Sequence, residues 1–546
     1  MPLPAHIQVT PPKRGTVTRR SGDRRYVYKV VKAYRNDKGQ PTNTRTMIGR
    51  LDEQSGMLIP NDAYWQEYGL EAGPAAQLLP RPDAIRSVGA VYTILGVLNQ
   101  LGVSAILRSA LGGPRADLVL TLAAYMARCG NVMDGLADWC EESTPRGVVV
   151  SPGQASRLFA SVTHAEKMAF FRAWVALQPV GSHLAYDVTS FSSYSEGIND
   201  LEWGHNRDGD KLPQINLGCY LNQSNALPVF YITYPGSIVD VAHLSSMTAH
   251  NQDLGIGDVV FIMDRGFAST KNLTHLRKHG IRHVIGTPVG LKAAKTAIAG
   301  VLDQIISMRT RLPGGVYAAS VEGRFYGQSE TLHVYYDPVL AERKRADVAR
   351  QIENETRQLN QLDQLTRSQA DSHRRYFTID LRDDGSFTFE ADLTKADAAL
   401  EHAGVFTLLT DTAMTCAEAL KAYRRKDSIE KAFDDIKNHQ GMKRLRTHSD
   451  QTTDGKLFAA FIALIALSHI QQRLGPQMKK TSTSKKSILA ELDKLKTVET
   501  ASGLRLLNPA TKTQRDILQA LDLSEDELRT YATTDHTTAD ASDTTM

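Results

Sequence analysis

Cysteine is scarce in this chain: there are four in 546 residues, Cys129, Cys140, Cys219 and Cys416, with no Cys-x-x-Cys pair among them. That argues against a disulfide scaffold or a cysteine zinc site, and the four read as small buried apolar side chains in a reducing compartment. Long apolar runs are also missing. The longest, Leu457–Leu467, is bounded by Lys456 and by Ser468 and His469. It falls short of the ~20 residues a membrane span needs and reads as a buried core helix. The opening MPLPAHIQVTPPKR has no apolar stretch able to act as a signal peptide, so a cytoplasmic protein is expected. Internal repeats are lacking as well. With 42% hydrophobic and 23% charged residues, the chain is neither fibrous nor disordered throughout.

What is present begins with length and charge. A chain of 546 residues should hold several structural units, because single cores stop growing near ~250–300 residues. The formal net charge is only +4, but residues 1–50 carry twelve Lys and Arg against two acids, a local balance of +10. Such an arm suits a polyanion such as DNA, or serves as a solvated tail.

Along the chain, residues 1–83 read as a basic arm followed by a strand-rich module. Tyr26–Tyr34 and Thr44–Leu51 suggest strands about an Asn36–Gly39 turn. Residues 84–178 switch to helical periodicity. Within them Ser151-Pro152 opens a helix that is either simply packed or the second helix of a helix-turn-helix, with Arg157 on phosphate. From 179 to 289 short apolar runs alternate with turns in the order strand, strand, strand, strand, helix, strand, a mixed α/β sheet. Residues 290–402 interrupt this plan with a helix near 339–368 and further strands. The plan resumes over 403–475. Residues 476–546 are expected to be helical and then a disordered tail.

Two acids end apolar strands: Asp187 after HLAY and Asp264 after VVFIM. A carboxylate at the end of a buried strand needs a metal ion or an arginine beside it, or caps a loop. A third acid, Glu430, sits in Tyr423–Lys437, a stretch without Gly or Pro. On a continuous α-helix, seven residues leave a drift of only ~20°. Tyr423, Glu430 and Lys437 would then share one face, with Lys426 one turn before Glu430. That face could bind a metal through the acid and DNA phosphates through the rest, or be an exposed face of ion pairs.

Here the chain resembles a branch of bacterial insertion-sequence transposases of the two-aspartate-one-glutamate (DDE) class, whose signature is Tyr-(2)-Arg-(3)-Glu-(6)-Lys. This sequence reads Tyr423-(2)-Lys426-(3)-Glu430-(6)-Lys437, with Lys in place of Arg, which keeps the charge but loses the bidentate fork. YDVTS at Asp187 and DRGF at Asp264 are similar to the family's first and second aspartate motifs. GHNRDGDKLPQINLG (204–218), PGSIVD (235–240) and IGRLDE (48–53) also match in order.

The resemblance implies an α/β, ribonuclease H-like core flanked by helices. An insertion domain would fall between Asp264 and Glu430, and the amino-terminal strands and helices would recognise DNA. It further implies that Asp187, Asp264 and Glu430 hold two Mg²⁺ ions, with Mn²⁺ able to substitute. Carboxylate-only ligation suits such hard cations. The expected substrates are double-stranded element ends and target DNA, brought together by a homodimer. Tyr423, Lys426 and Lys437 would contact the DNA backbone. Arg265 would do so too, or make a structural ion pair. Trp203 is a candidate for stacking on a displaced base, and His183 and His205 stand near the motifs. Two rival readings are a stand-alone metal nuclease and a catalytically silent DNA-binding protein.

Overall fold

The computed structural model describes residues 8–533 except 23, 37, 54, 69–81, 145–148, 180–182, 205–207, 239, 412 and 501–504. His205 therefore lies outside the described residues, as does most of the tail expected to be disordered. The chain divides into two compact units.

The first unit comprises residues 1–86, 496–508 and 532–546. Strands β1 (Thr16–Ser21), β2 (Arg24–Arg35), β3 (Pro41–Leu51) and β4 (Leu58–Pro60) form an antiparallel sheet in chain order. The turn between β2 and β3 closes on Asn36, whose side-chain oxygen accepts the amide N–H groups of Lys38 and Gln40. Val27, Ile48 and Leu58 point inward with Val9 and with Tyr64 of the helix Asp62–Tyr68. The arginines of β1 and the start of β2 stay exposed. A second sheet of this unit joins β5 (Pro82–Ser87) to β16 (Lys496–Thr500) and β17 (Arg505–Leu507), in the order β17-β16-β5. The region expected to be helical thus also contributes strands. Thr and Val in KTVET favour an extended backbone.

The second unit, residues 87–495 and 509–531, opens with six helices from Gly89 to Ala176. Pro152–Ser161 starts on a full capping box between Ser151 and Gln154, and Arg157 on it is exposed. The turn residues 145–148, on which a helix-turn-helix geometry would depend, lie outside the described set.

The centre of this unit is one eight-stranded mixed sheet. Its strands are β6 (His183–Ser192), β7 (Gln214–Asn222), β8 (Leu227–Pro235), β9 (Val260–Met263), β10 (Arg282–Thr287), β11 (Tyr317–Phe325), β12 (Gln328–Tyr336) and β15 (Val405–Thr410). Across the sheet they run β11-β12-β15-β10-β9-β6-β7-β8. Only β6, β9 and β10 are mutually parallel, with β9 in the middle. β7 is buried along its whole length, so its apolar run does not alternate.

The stretch expected to interrupt the sheet instead begins by extending it. The hairpin β11–β12 pairs through β12 with β15, so the sheet continues outward without a break. Only the later part, the helices Pro338–Leu359, Arg367–His373 and Leu393–Leu400 with the hairpin β13 (Phe377–Leu381) and β14 (Phe387–Ala391), builds its own small core around Val348, Leu359, Tyr376 and Phe377.

Below the sheet runs the helix Asp450–Thr481. It is long and apolar enough to cross a membrane by length and composition, and 78% of its apolar window is buried inside the protein. Lys456 on this helix is 2% exposed and donates to the Leu445 carbonyl at 2.9 Å. Burial, and secondarily Arg446, push its ammonium down to about 8. A lysine that is harder to protonate folded than unfolded costs stability below the folded value, and the cost fades as pH rises from about 8 toward 10.5. The wild type is therefore expected to gain up to about 3 kcal/mol relative to Lys456→Met across that window, in paired urea titrations. A pH-independent difference between the two proteins would contradict this.

Candidate active site

The sheet itself brings the two aspartates together. Tyr186 on β6 is the register partner of Met263 on β9, and the strands are parallel. Asp264 follows the last residue of β9, but Asp187, expected at a strand end, stands in the middle of β6; the register still sets the two side by side, about 4.8 Å apart in the pairing direction. Asp264 lies at the C-terminal end of β9, and its Oδ1 caps the short 3-10 turn Arg265–Phe267 by accepting the Arg265 N–H at 2.8 Å. Asp187 is held likewise, with Oδ1 accepting the Val188 N–H at 2.8 Å.

The third acid arrives on helices packed across the sheet. Cys416–Arg424 begins with a capping box between Thr415 and Glu418 and lays Ala419, Leu420 and Ala422 onto Val260, Ile262, Val284 and Leu408. This packing delivers the Tyr423 hydroxyl to Asp264, where it donates to Oδ1 at 3.1 Å. Burial, reinforced by the Asp264 carboxylate, holds the Tyr423 phenol well above its ordinary value, so it stays a donor.

The stretch from Tyr423 to Lys437 is not one continuous α-helix, contrary to the even 7 and 7 spacing. It tightens at Arg425–Lys426, where the Lys426 N–H reaches back to Tyr423 O and the Ile429 N–H to Lys426 O. It resumes over Asp427–Asp434 and then widens into a π-helical turn, Asp435–His439. Lys426 sits at the first change and Lys437 within the second.

Lys426 is 8% exposed, with Nζ 3.1 Å from Asp187 Oδ2 and 3.5 Å from Glu430 Oε1. Burial works against its charge, yet Asp187, Asp264 and Glu430 outweigh that and hold the ammonium above the ordinary lysine value. Glu430 is 64% exposed, at the open edge of the group.

Lys437 does not join this group; its Nζ pairs with Asp208 at 2.7 Å, both largely buried. Two residues on, Asp210 pairs with Arg444 at 2.6 Å. These two pairs pin the 208–210 segment beside the helices. Arg265 is exposed and makes no ion pair among the described residues. Trp203 is 68% exposed, and His183 begins β6 with its imidazole lowered by burial and by Arg425 and Arg282.

One residue of the site escaped the sequence reading. Gly286 on β10 lies beside Asp264, because Ile285 is the register partner of Met263. A Cβ there would come within 2.8 Å of the Tyr423 hydroxyl and 3.0 Å of the Arg265 nitrogen. Only glycine leaves room for the Tyr423–Asp264 hydrogen bond. The available signal was a glycine inside an otherwise apolar strand, RHVIGT.

As a donor set, three carboxylates without His or Cys fit a hard divalent cation, and the buried ammonium between two of them shows that the acids need positive charge there. They are not a ready-made cage: among the described residues, no group of three His, Cys, Asp or Glu stands close enough to hold an ion in this conformation. Lys426 instead lies between Asp187 and Glu430. A cavity of about 540 Å³, lined among others by Lys167, Asp200, His243, Asp450 and Asp454, contains none of the three carboxylates.

A family model described as the transposase DDE domain matches residues 178–466. That span holds Asp187, Asp264 and Glu430. Comparison with curated proteins finds no match. Among solved structures, the cryo-EM structure of a piggyBac transposase synaptic complex with hairpin DNA aligns with a TM-score of 0.36 at 10% identity, covering 79% of each chain.

Proposed function

Because the chain belongs to the family of transposases with a DDE domain, its match covering more than half of the sequence, we propose that it cuts the ends of its own mobile element and joins the freed 3′-hydroxyls to target DNA. The observation that carries this reading is the convergence of the three motif acids. Asp187 within β6 and Asp264 at the end of β9 are neighbours on parallel strands, and Glu430 is linked to Asp187 through a shared, buried Lys426. The strand order β8-β7-β6-β9-β10, parallel only in its last three members, is what a ribonuclease H-like core requires, and it supports that fold assignment.

Asp187, Asp264 and Glu430 would hold two Mg²⁺ or Mn²⁺ ions. When bound, such ions activate the attacking oxygen and neutralise the departing one. The chain's own residues prepare the acids for this. The Val188 and Arg265 amides and the Tyr423 hydroxyl hold Oδ1 of the two aspartates, which limits the rotation of both carboxylates. Arg265 is exposed and free to meet the phosphate backbone, whereas Tyr423 and Lys426 would do so only on leaving Asp264 and Asp187; contacts of this kind set register without reading sequence. Lys437 would take part only on leaving Asp208. End recognition is assigned to the exposed arginines of β1 and β2 and to the helices of 84–178, and the work is assigned to a cytoplasmic homodimer that pairs two ends.

The test is cleavage of a labelled duplex carrying the element's own end, with Mg²⁺ or Mn²⁺, comparing wild type with Glu430→Gln. The expected result is metal-dependent cutting that vanishes in the variant while DNA binding survives. Equal activity in both would remove Glu430 from the site and this reading with it. Wild-type binding that is indifferent to Mg²⁺ and never leads to cutting would establish the silent DNA-binding protein. Cutting without strand joining would establish the nuclease.

A further inference from the structure

Lys426 has a geometry that a simple phosphate-binding lysine does not need. Its ammonium does not face solvent, where DNA would arrive. It is 8% exposed and lodged between Asp187 Oδ2 and Glu430 Oε1, at 3.1 and 3.5 Å. These two oxygens belong to acids assigned to the metal ions. A cation liganded by both would need the space that Nζ now fills, since metal–carboxylate oxygen distances are only ~2.0–2.1 Å for Mg²⁺. The two positive charges exclude one another by size and by repulsion.

Resting on the reading of Asp187, Asp264 and Glu430 as metal ligands, we infer that Lys426 is an exchangeable counter-ion. It holds the acids together in the metal-free protein and is expelled when a divalent cation enters. Three features support this. Lys426 sits at the tightened turn before the Glu430 helix, and from there its buried ammonium reaches Asp187 on the sheet as well as Glu430 one turn along. The contact to Glu430 spans i to i+4 on a largely exposed acid, so it can open without disturbing the core. Finally, the four-carbon stem leaves the ammonium free to follow a new anion once displaced, and a DNA phosphate supplies one. Metal and DNA should then each favour the binding of the other, because each relieves the same ion pair. Lysine suits this exchange better than the arginine of the family signature, whose bidentate fork would grip the carboxylates harder.

The test uses DNA-free full-length protein and Mn²⁺ alone, followed by the loss of the free-ion paramagnetic resonance signal. Lys426→Met should bind Mn²⁺ about tenfold more tightly than wild type, because the competing charge is gone, whereas Lys426→Arg should bind no more tightly than wild type. In the wild type, Mn²⁺ should also raise acetylation of Lys426 by acetic anhydride several-fold relative to exposed Lys431, read by mass spectrometry. This second measurement decides the matter alone if Lys426→Met fails to fold. Unchanged or weaker Mn²⁺ binding in Lys426→Met, or unmoved acetylation, overturns the exchange. If Asp187→Asn still removes Mn²⁺ binding in that case, the carboxylate site itself stands. Mn²⁺ binding that survives both Asp187→Asn and Glu430→Gln would bring down the metal site and the exchange together.

Discussion

Asp187→Asn is expected to lower end cleavage by ~10³-fold or more and, unlike Glu430→Gln, to destabilise the metal-free protein. The loss of activity follows from removing a ligand that serves the site's cations, whose charge stabilisation amounts to several kcal/mol of barrier. The loss of stability follows from Lys426. With 8% of its side chain exposed, this lysine relies on Asp187 at 3.1 Å as its nearer acid. Asn leaves the ammonium in place without its counter-charge, and breaking a buried pair from one side commonly costs ~3–5 kcal/mol. Glu430 is 64% exposed, so its neutralisation leaves little buried charge uncompensated. The double variant Asp187→Asn/Lys426→Met should recover most of the lost stability and none of the activity. Urea unfolding midpoints of the four proteins form the cycle that measures this coupling. Additive effects would show that Lys426 does not depend on Asp187.

Gly455→Ala should unfold the second unit more readily than any change at its surface. The helix Asp450–Thr481 approaches Pro152–Ser161 so closely at Gly455 that an added Cβ would stand 2.1 Å from the Phe159 carbonyl oxygen and 2.6 Å from its carbon and Cα. These are backbone atoms and cannot rotate aside, so the helices must separate. Overpacking of this sort costs ~1–3 kcal/mol where side chains can adjust, and here the expected value is about 3 kcal/mol or more. The separation would reach the site. Gln440 and Leu445, which follow the Glu430 helix, are tied to the same long helix through Ala460 O and Lys456 Nζ. A lowered midpoint accompanied by reduced cleavage is expected, and an unchanged midpoint would contradict the close approach.

The elements that carry the three acids were legible because apolar runs and helical stretches are local signals. HLAY and VVFIM are apolar runs that each lead into an aspartate, and the parallel pairing of the two strands puts Asp187 beside Asp264, although β6 runs on to Ser192 where the sequence suggested an end. Their helix was legible as helix but not in its phase. Every residue from Tyr423 to Lys437 tolerates α-helix, so nothing in their propensities marks the tightening at Lys426 or the widening at Asp435. Packing imposes those changes, and with them the fate of the two lysines, one turned onto Asp187 and the other onto Asp208. The Lys437–Asp208 and Arg444–Asp210 pairs join positions more than two hundred residues apart, beyond the reach of periodicity. The hairpin β11–β12 was misplaced for a related reason. Its strands could be read locally, but their partner, β15, lies some seventy residues further on, and only that pairing shows that they belong to the main sheet.

That pairing also sets the order in which the parts of the proposed site are made. β10 finds its antiparallel neighbour β15 only after more than a hundred further residues have been made, and Glu430 follows Asp264 by 166 positions. At ~5–20 residues per second, a ribosome needs roughly ten to thirty seconds to cross that interval. During it the nascent chain carries both aspartates and the basic amino-terminal strands, but not Glu430. Under the proposed function, a newborn molecule would therefore carry its DNA-binding strands well before it could cut.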